Sequence, residues 1–189
     1  GFVWMMKIIV PISLCTAILD WSGLLGRLDF LLKPLMGWLN LPPAAALPLI
    51  IGMLSSIYGG IGAMVPLPFS TPQITLMAVF ILMAHGLIQE GIIQGKSGIH
   101  PLKATLVRVG AATVTVLLIA PWVGSSTTMP VPSGGLPTVH PVFMEMIRHW
   151  AWTTVRLAIK ILFIIIALLT LLELLKAFGW IHPFVRALG

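Results

Sequence analysis

Charge is scarce in this chain. Of its 189 residues, 8% are Asp, Glu, Lys or Arg, and only five are acidic. A water-soluble domain carries about a quarter charged residues, so this chain cannot cover a surface in water and the soluble classes are excluded. Cysteine occurs once, as Cys15, which removes any disulfide framework or cysteine metal site within one chain. The sequence has no Gly-rich phosphate loop with lysine, no H-E-x-x-H and no G-x-S-x-G. No nucleophile, base and acid can be read as a set. An enzyme is not expected, and neither a cofactor nor a metal centre is implied. The net charge of +6 is spread along the chain rather than clustered. That distribution suits anionic lipid headgroups and argues against nucleic acid.

What the chain has instead is apolar length. It is 58% hydrophobic, with a mean hydropathy of +1.06, and several runs reach spanning length. We expect an all-α integral membrane protein with four to five membrane segments, forming one membrane domain over residues 1–189. The first helix is expected at about Phe2–Leu19, and it reads as a membrane helix rather than a signal peptide. Lys7 lies inside its apolar run, and no small-residue cleavage pattern follows. Residues 21–40 place Leu24, Leu25, Leu28, Leu31, Leu32 and Leu35 at helical spacing around Arg27, Asp29 and Lys33. That is an amphipathic helix suited to the interface, with Trp21 and Trp38 at headgroup depth. A third helix is expected at about Gln73–Gln94 and a fourth at about Leu102–Val123. Residues 124–141 read as a Pro/Gly-rich loop outside the bilayer. A final helical region from about Val142 is amphipathic first and membrane-spanning second.

One apolar segment is interrupted. Residues 44–66, AALPLIIGMLSSIYGGIGAMVPL, carry Ser55, Ser56, Tyr58, Gly59, Gly60 and Gly62 in their middle. Glycines let a backbone leave the helix, and hydroxyls can satisfy the groups so freed. Broken helices in membranes are tolerated where they line a cavity, and many transporters build substrate sites that way. The six residues are therefore substrate-binding candidates. The alternative is that the serines bond their own backbone or a neighbouring helix. Whether the segment spans or forms a re-entrant hairpin is open: helix breakers favour the hairpin, and the grouping of basic residues favours a span.

Other polar groups cluster nearby in sequence. Glu90 and Arg108 flank the turn around Ser97–Gly98, which sets them at similar heights on antiparallel helices. They are either a structural ion pair or a coupling carboxylate with its counter-ion. His85 and Gln89 are four apart and share a helix face. With Glu90 they could meet a polar solute, or simply bond each other. Ser70, Thr71 and Gln73 could reach the same cavity or cap the third helix.

The end of the chain echoes its beginning. Aligning Lys7 with Lys160 also aligns Asp20 with Glu173, Gly26 with Gly179 and Lys33 with Arg186. Residues 142–189 thus echo 7–36, a possible internal repeat without its own broken segment. A repeat-built site would then need a second copy or a sister subunit.

The stretch LKPLMGWLNLPPAAALPLIIGMLSSIYGGIGAM, together with Gly60-Ile61-Gly62-Ala63-Met64-Val65-Pro66, resembles the Gate family of nucleoside-recognition domains. That family includes spore maturation proteins and the membrane part of the bacterial ferrous iron transporter, and it is distantly similar to concentrative nucleoside transporters. The resemblance covers roughly residues 20–125. The iron transporter carries a cysteine where Ala63 stands, so the likeness does not extend to a thiolate iron site. It implies a multi-pass protein of the bacterial inner (cytoplasmic) membrane. The expected function is binding and transport of a small polar solute by a homodimer, or with a sister Gate subunit. The alternative is a non-transporting scaffold or assembly factor.

Overall fold

A computed structural model describes residues 2–123 and 142–178. Among them are eight α-helices, one 3-10 turn and no strand. The chain is an all-α membrane protein. Four helical stretches are long and apolar enough to cross a bilayer, Phe2–Trp21, Thr71–Lys96, Pro101–Val123 and Phe143–Ala177. A bent pair, Leu32–Trp38 with Pro43–Leu54, offers a possible fifth.

Helix α1 (Phe2–Trp21) and the short α2 (Leu24–Trp38) meet at Gly23, whose φ of 71° is the left-handed conformation that glycine takes without strain. Pro42 and Pro43 then end the polar turn and start α3 (Ala46–Leu54) through the 3-10 turn Pro43–Ala45. Ser55 and Ser56 separate α3 from α4 (Ile57–Met64). Helix α5 (Thr71–Ala84) opens with a capping box: Gln73 N–H donates to Ser70 Oγ, and Ser70 N–H donates to Gln73 Oε1 at 2.9 Å. Helices α6 (Leu87–Lys96), α7 (Pro101–Val123) and α8 (Phe143–Ala177) complete the described chain.

The third helix expected over residues 73–94 is not continuous. His85 is extended (ψ 156°) and Gly86 is left-handed (φ 58°), so α5 stops at Ala84 and α6 starts at Leu87. His85 and Gln89 therefore do not share a face of one helix. The reason is local: a single left-handed glycine redirects the chain with no proline or polar cluster to announce it.

Helices α3 and α4 fold back on each other. Gly60 sits against Gly52 and Pro48, twelve residues earlier at the farther point, a distance no continuous helix would close. The core gathers Met36, Leu39 and Leu41 with Leu49, Met77, Phe80 and Ile81 and with Ala112, Val116 and Ala120. Helices α5 and α7 are antiparallel through this core.

Helix α8 lies antiparallel to α1. The Trp21 ring meets Phe143 edge-on at 5.3 Å, and Trp150 Nε1–H donates to the buried Ser13 Oγ at 3.0 Å. The amphipathic and membrane-like parts of the last region form one helix of 35 residues. The loop over 124–141 and the echo positions Gly179 and Arg186 lie outside the described residues.

Candidate functional site

The first break is built from two serines with different tasks. Ser55 ends α3, its N–H donating to Ile51 O at 2.9 Å, and its side chain is exposed. Ser56 is extended, and its Oγ accepts from Gly59 N–H at 3.2 Å, so it caps α4. Tyr58 turns toward α1 and meets Trp4 edge-on at 5.8 Å. Gly59, Gly60 and Gly62 are buried, and neighbours occupy the space their side chains would take. A Cβ on Gly60 would stand 2.7 Å from Ile81 Cδ1, and one on Gly62 2.9 Å from Ile9 O. These glycines allow close helix approach, as small residues do at membrane helix interfaces.

The second break is locked to the first. Helix α3 ends before Gly52 O can find an acceptor's usual partner four residues on, leaving an orphan carbonyl. Gly86 N–H donates to that carbonyl at 3.3 Å. Ser55 O lies 3.7 Å, and Gln89 Oε1 3.8 Å, from where a Gly86 side chain would begin. Two interrupted helices thus meet at their interruptions.

Charged groups complete the joint. Arg108 on α7 donates through Nε to Met83 O, a last-turn carbonyl of α5, at 3.2 Å. Its Nη1 stands 3.7 Å from Glu90 Oε2 in the first turn of α6. A cation at a helix C-terminus and an anion at a helix N-terminus each match the local dipole, so one guanidinium bridges both halves of the broken span. Nη1 itself is buried without a hydrogen bond. His85 Nδ1 lies 3.0 Å from Leu82 O, a contact that the tautomer protonated on Nδ1 makes as a donor.

The structure therefore brings Ser55, His85, Gln89, Glu90 and Arg108 around the joint, with Ser56 capping the helix that leaves it. It turns Tyr58 and Gly62 toward α1. Gly52, Gly86 and the Met83 carbonyl belong to the joint and were not expected from sequence. The His-Gly pair at 85–86 was the available signal, since a glycine past a helix end suits the left-handed cap. Among the described residues, no three His, Cys, Asp or Glu side chains gather as a metal site would need.

Comparison with known proteins adds family context. A family model described as Gate, nucleoside recognition, matches residues 2–98. The match runs from α1 past α6 and includes both breaks and Glu90, but not Arg108. An uncharacterized membrane protein of Bacillus subtilis (strain 168), YvoD, is 28% identical over 185 residues. Those residues are 97% of this chain and 59% of YvoD, so the chain spans 59% of that relative's length. No solved structure matches.

Proposed function

The chain belongs to the Gate nucleoside-recognition family, a transporter-related membrane family, and from that premise we propose that it binds a small polar solute where its two broken helices meet. The observation that carries the reading is the Gly86 N–H to Gly52 O hydrogen bond, which ties the Ser55–Ser56 break to the His85–Gly86 break. Discontinuous helices meeting inside a membrane offer a solute both freed backbone groups and half-helix dipoles. Ser55, Gln89 and Glu90 supply the polar contacts, and Arg108 is the counter-ion that Glu90 exchanges for the solute. Transport is the alternating exposure of this joint, by a homodimer or with a sister Gate subunit, in a bacterial inner membrane. Catalysis has no part in it. The solute is nucleoside-like or an ion.

In this reading, residues 44–66 form a re-entrant hairpin. Helices α3 and α4 have nine and eight residues, about 13 and 12 Å, and neither crosses a core of about 30 Å. Counting helix crossings of the bilayer supports the same conclusion. With α1, α5–α6, α7 and α8 each crossing once, α1 and α8 point opposite ways only if the hairpin does not cross, and their contacts are antiparallel. Single cysteines at Asn40 and Pro68, in a Cys15→Ser background, bracket the hairpin. Both are expected to react with an impermeant maleimide from the same side. Labelling from opposite sides would replace the hairpin with a span.

The purified protein is tested by thermal shift against nucleosides, divalent metals and small anions. A ligand present at about 100 times its Kd is expected to raise Tm by about 5 °C. The shift is expected to vanish in Glu90→Gln and to weaken in Ser55→Ala. The close filling around Gly59, Gly60 and Gly62 favours a second reading, a scaffold that works with a protein partner. A folded protein with no shift across the panel would move the conclusion there.

A further inference from the structure

Helix α8 is longer than anything beside it. Its 35 residues reach about 52 Å, against about 30 Å for the 20 residues of α1. The Trp21–Phe143 and Ser13–Trp150 contacts fix the antiparallel register. That register brings the first residues of α1 level with the turn of α8 around Lys160–Phe163. Beyond this point α1 no longer flanks α8. A groove of about 730 Å³ runs along α8 from Thr153 to Ile164, leading up to this point, between α8 and Val65 at the end of α4.

The groove has two chemistries. Arg156 and Lys160 line one part, four residues apart and so on one helix face. Apart from Thr153, the rest of the lining is apolar: Leu157 and Ile159 beside the two cations, then Phe163, Ile164 and Val65. Both cations are exposed. Among the described residues neither has a carboxylate within ion-pair distance; the ion pairs there are Glu90–Arg108 and Glu173–Lys176. The Arg156 guanidinium rests over the Trp152 ring at 4.9 Å, which holds it in place without neutralising it. The Thr153 hydroxyl is spent on the His149 and Trp150 carbonyls at 3.0 and 2.9 Å, so the polar part of the groove offers two positive charges. Lys160 also stands at the start of the apolar run ILFIIIALLTLL.

We propose that this groove binds an anionic phospholipid, with its phosphodiester on Arg156 and Lys160 and an acyl chain along Phe163 and Ile164. The charge complementarity selects the headgroup, and basic pockets beside membrane helices bind anionic lipid headgroups. The apolar half selects a lipid over a free anion. The site is independent of the joint between the broken helices.

The test uses the detergent-purified chain and three probes: dihexanoyl phosphatidylglycerol, dihexanoyl phosphatidylcholine and inorganic phosphate. Phosphatidylglycerol at about 100 times its Kd is expected to raise Tm by about 5 °C, and the other two by less than a fifth of that. The double variant Arg156→Gln, Lys160→Gln is expected to lose the shift. The charge-matched variant Lys103→Gln, Arg148→Gln, outside the groove, is expected to keep it. An equal shift from phosphate would make this a free-anion site, and an equal shift from phosphatidylcholine a merely apolar one; either overturns the proposal. So does a shift that survives in the groove variant. Native mass spectrometry of the wild-type protein decides even if that variant fails to fold: retained phosphatidylglycerol in excess of phosphatidylcholine is expected, and no preference between them overturns the assignment.

Discussion

Gly62→Ala is expected to destabilise the protein by about 1–3 kcal/mol, the cost typical of forcing extra volume into a filled interior. The added Cβ would stand 2.9 Å from Ile9 O and 3.2 Å from Ile9 Cα. Both are backbone atoms of α1, so relief requires α1 and α4 to move apart along their contact. Gly60→Ala makes a nominally worse clash, 2.7 Å, but the nearest atom is Cδ1 at the end of Ile81, with the backbone of Gly52 and Pro48 at 3.3 and 3.4 Å. A side-chain rotation relieves much of that, so its cost is expected to be smaller despite the shorter distance. Gly37 and Gly110, inside α2 and α7, have nothing within 4 Å of an added Cβ. Alanine there is expected to be neutral or to gain up to about 1 kcal/mol of helix propensity. Thermal melts of the four variants in one detergent check the order. If Gly60→Ala proves worse than Gly62→Ala, the α1–α4 approach is not the rigid contact described.

These glycines also show where sequence reading reaches and where it stops. Apolar run length identified the membrane helices, and the helical spacing of leucines placed α2, because both depend on periods of a few residues. The Ser-Ser-Ile-Tyr-Gly-Gly stretch marked the first break, since it puts polar and flexible residues where a span has no use for them. The height match of Glu90 and Arg108 followed from one tight turn, and they stand 3.7 Å apart. The second break left far less trace. His85-Gly86 sits in a run whose hydropathy is that of an ordinary span, and an extended His85 followed by a left-handed Gly86 carries the change of direction. The glycines at 59, 60 and 62 read as backbone freedom at a solute site, yet what they provide is room for Ile81, Ile51 and Ile9. Which neighbour needs the room is long-range information. The hairpin proposed for residues 44–66 rests on the same kind of information. Basic residues grouped on one side if the segment spans, whereas the antiparallel contacts of Trp21 with Phe143 and Ser13 with Trp150 join residues more than a hundred positions apart.

Arg108 and Glu90 are expected to part company when each is neutralised. Arg108→Gln removes the Nε–H that caps the Met83 carbonyl, and a charge-assisted hydrogen bond of this kind contributes about 1.5–3 kcal/mol. It also strands the end of α5 beside an unneutralised Glu90. Glu90→Gln removes only a contact at 3.7 Å from a carboxylate that is 42% exposed. Such a pair contributes about 0.5 kcal/mol or less, and glutamine still fits the first turn of α6. The stability order is therefore Arg108→Gln well below Glu90→Gln, with Glu90→Gln close to wild type. Arg108→Lys is expected to fall between, because one ammonium cannot reproduce the geometry of a fork that reaches both Met83 O and Glu90. Function is expected to invert the emphasis. If Glu90 is the group that a solute displaces from Arg108, then Glu90→Gln abolishes the ligand-induced shift in Tm while the unliganded melt stays in place. A structural pair predicts the opposite pattern, in which ligand response follows stability across all three variants. The two measurements on one set of proteins separate these cases: a well-folded Glu90→Gln that still responds to ligand would remove the carboxylate from the site and leave Arg108 as a helix staple alone.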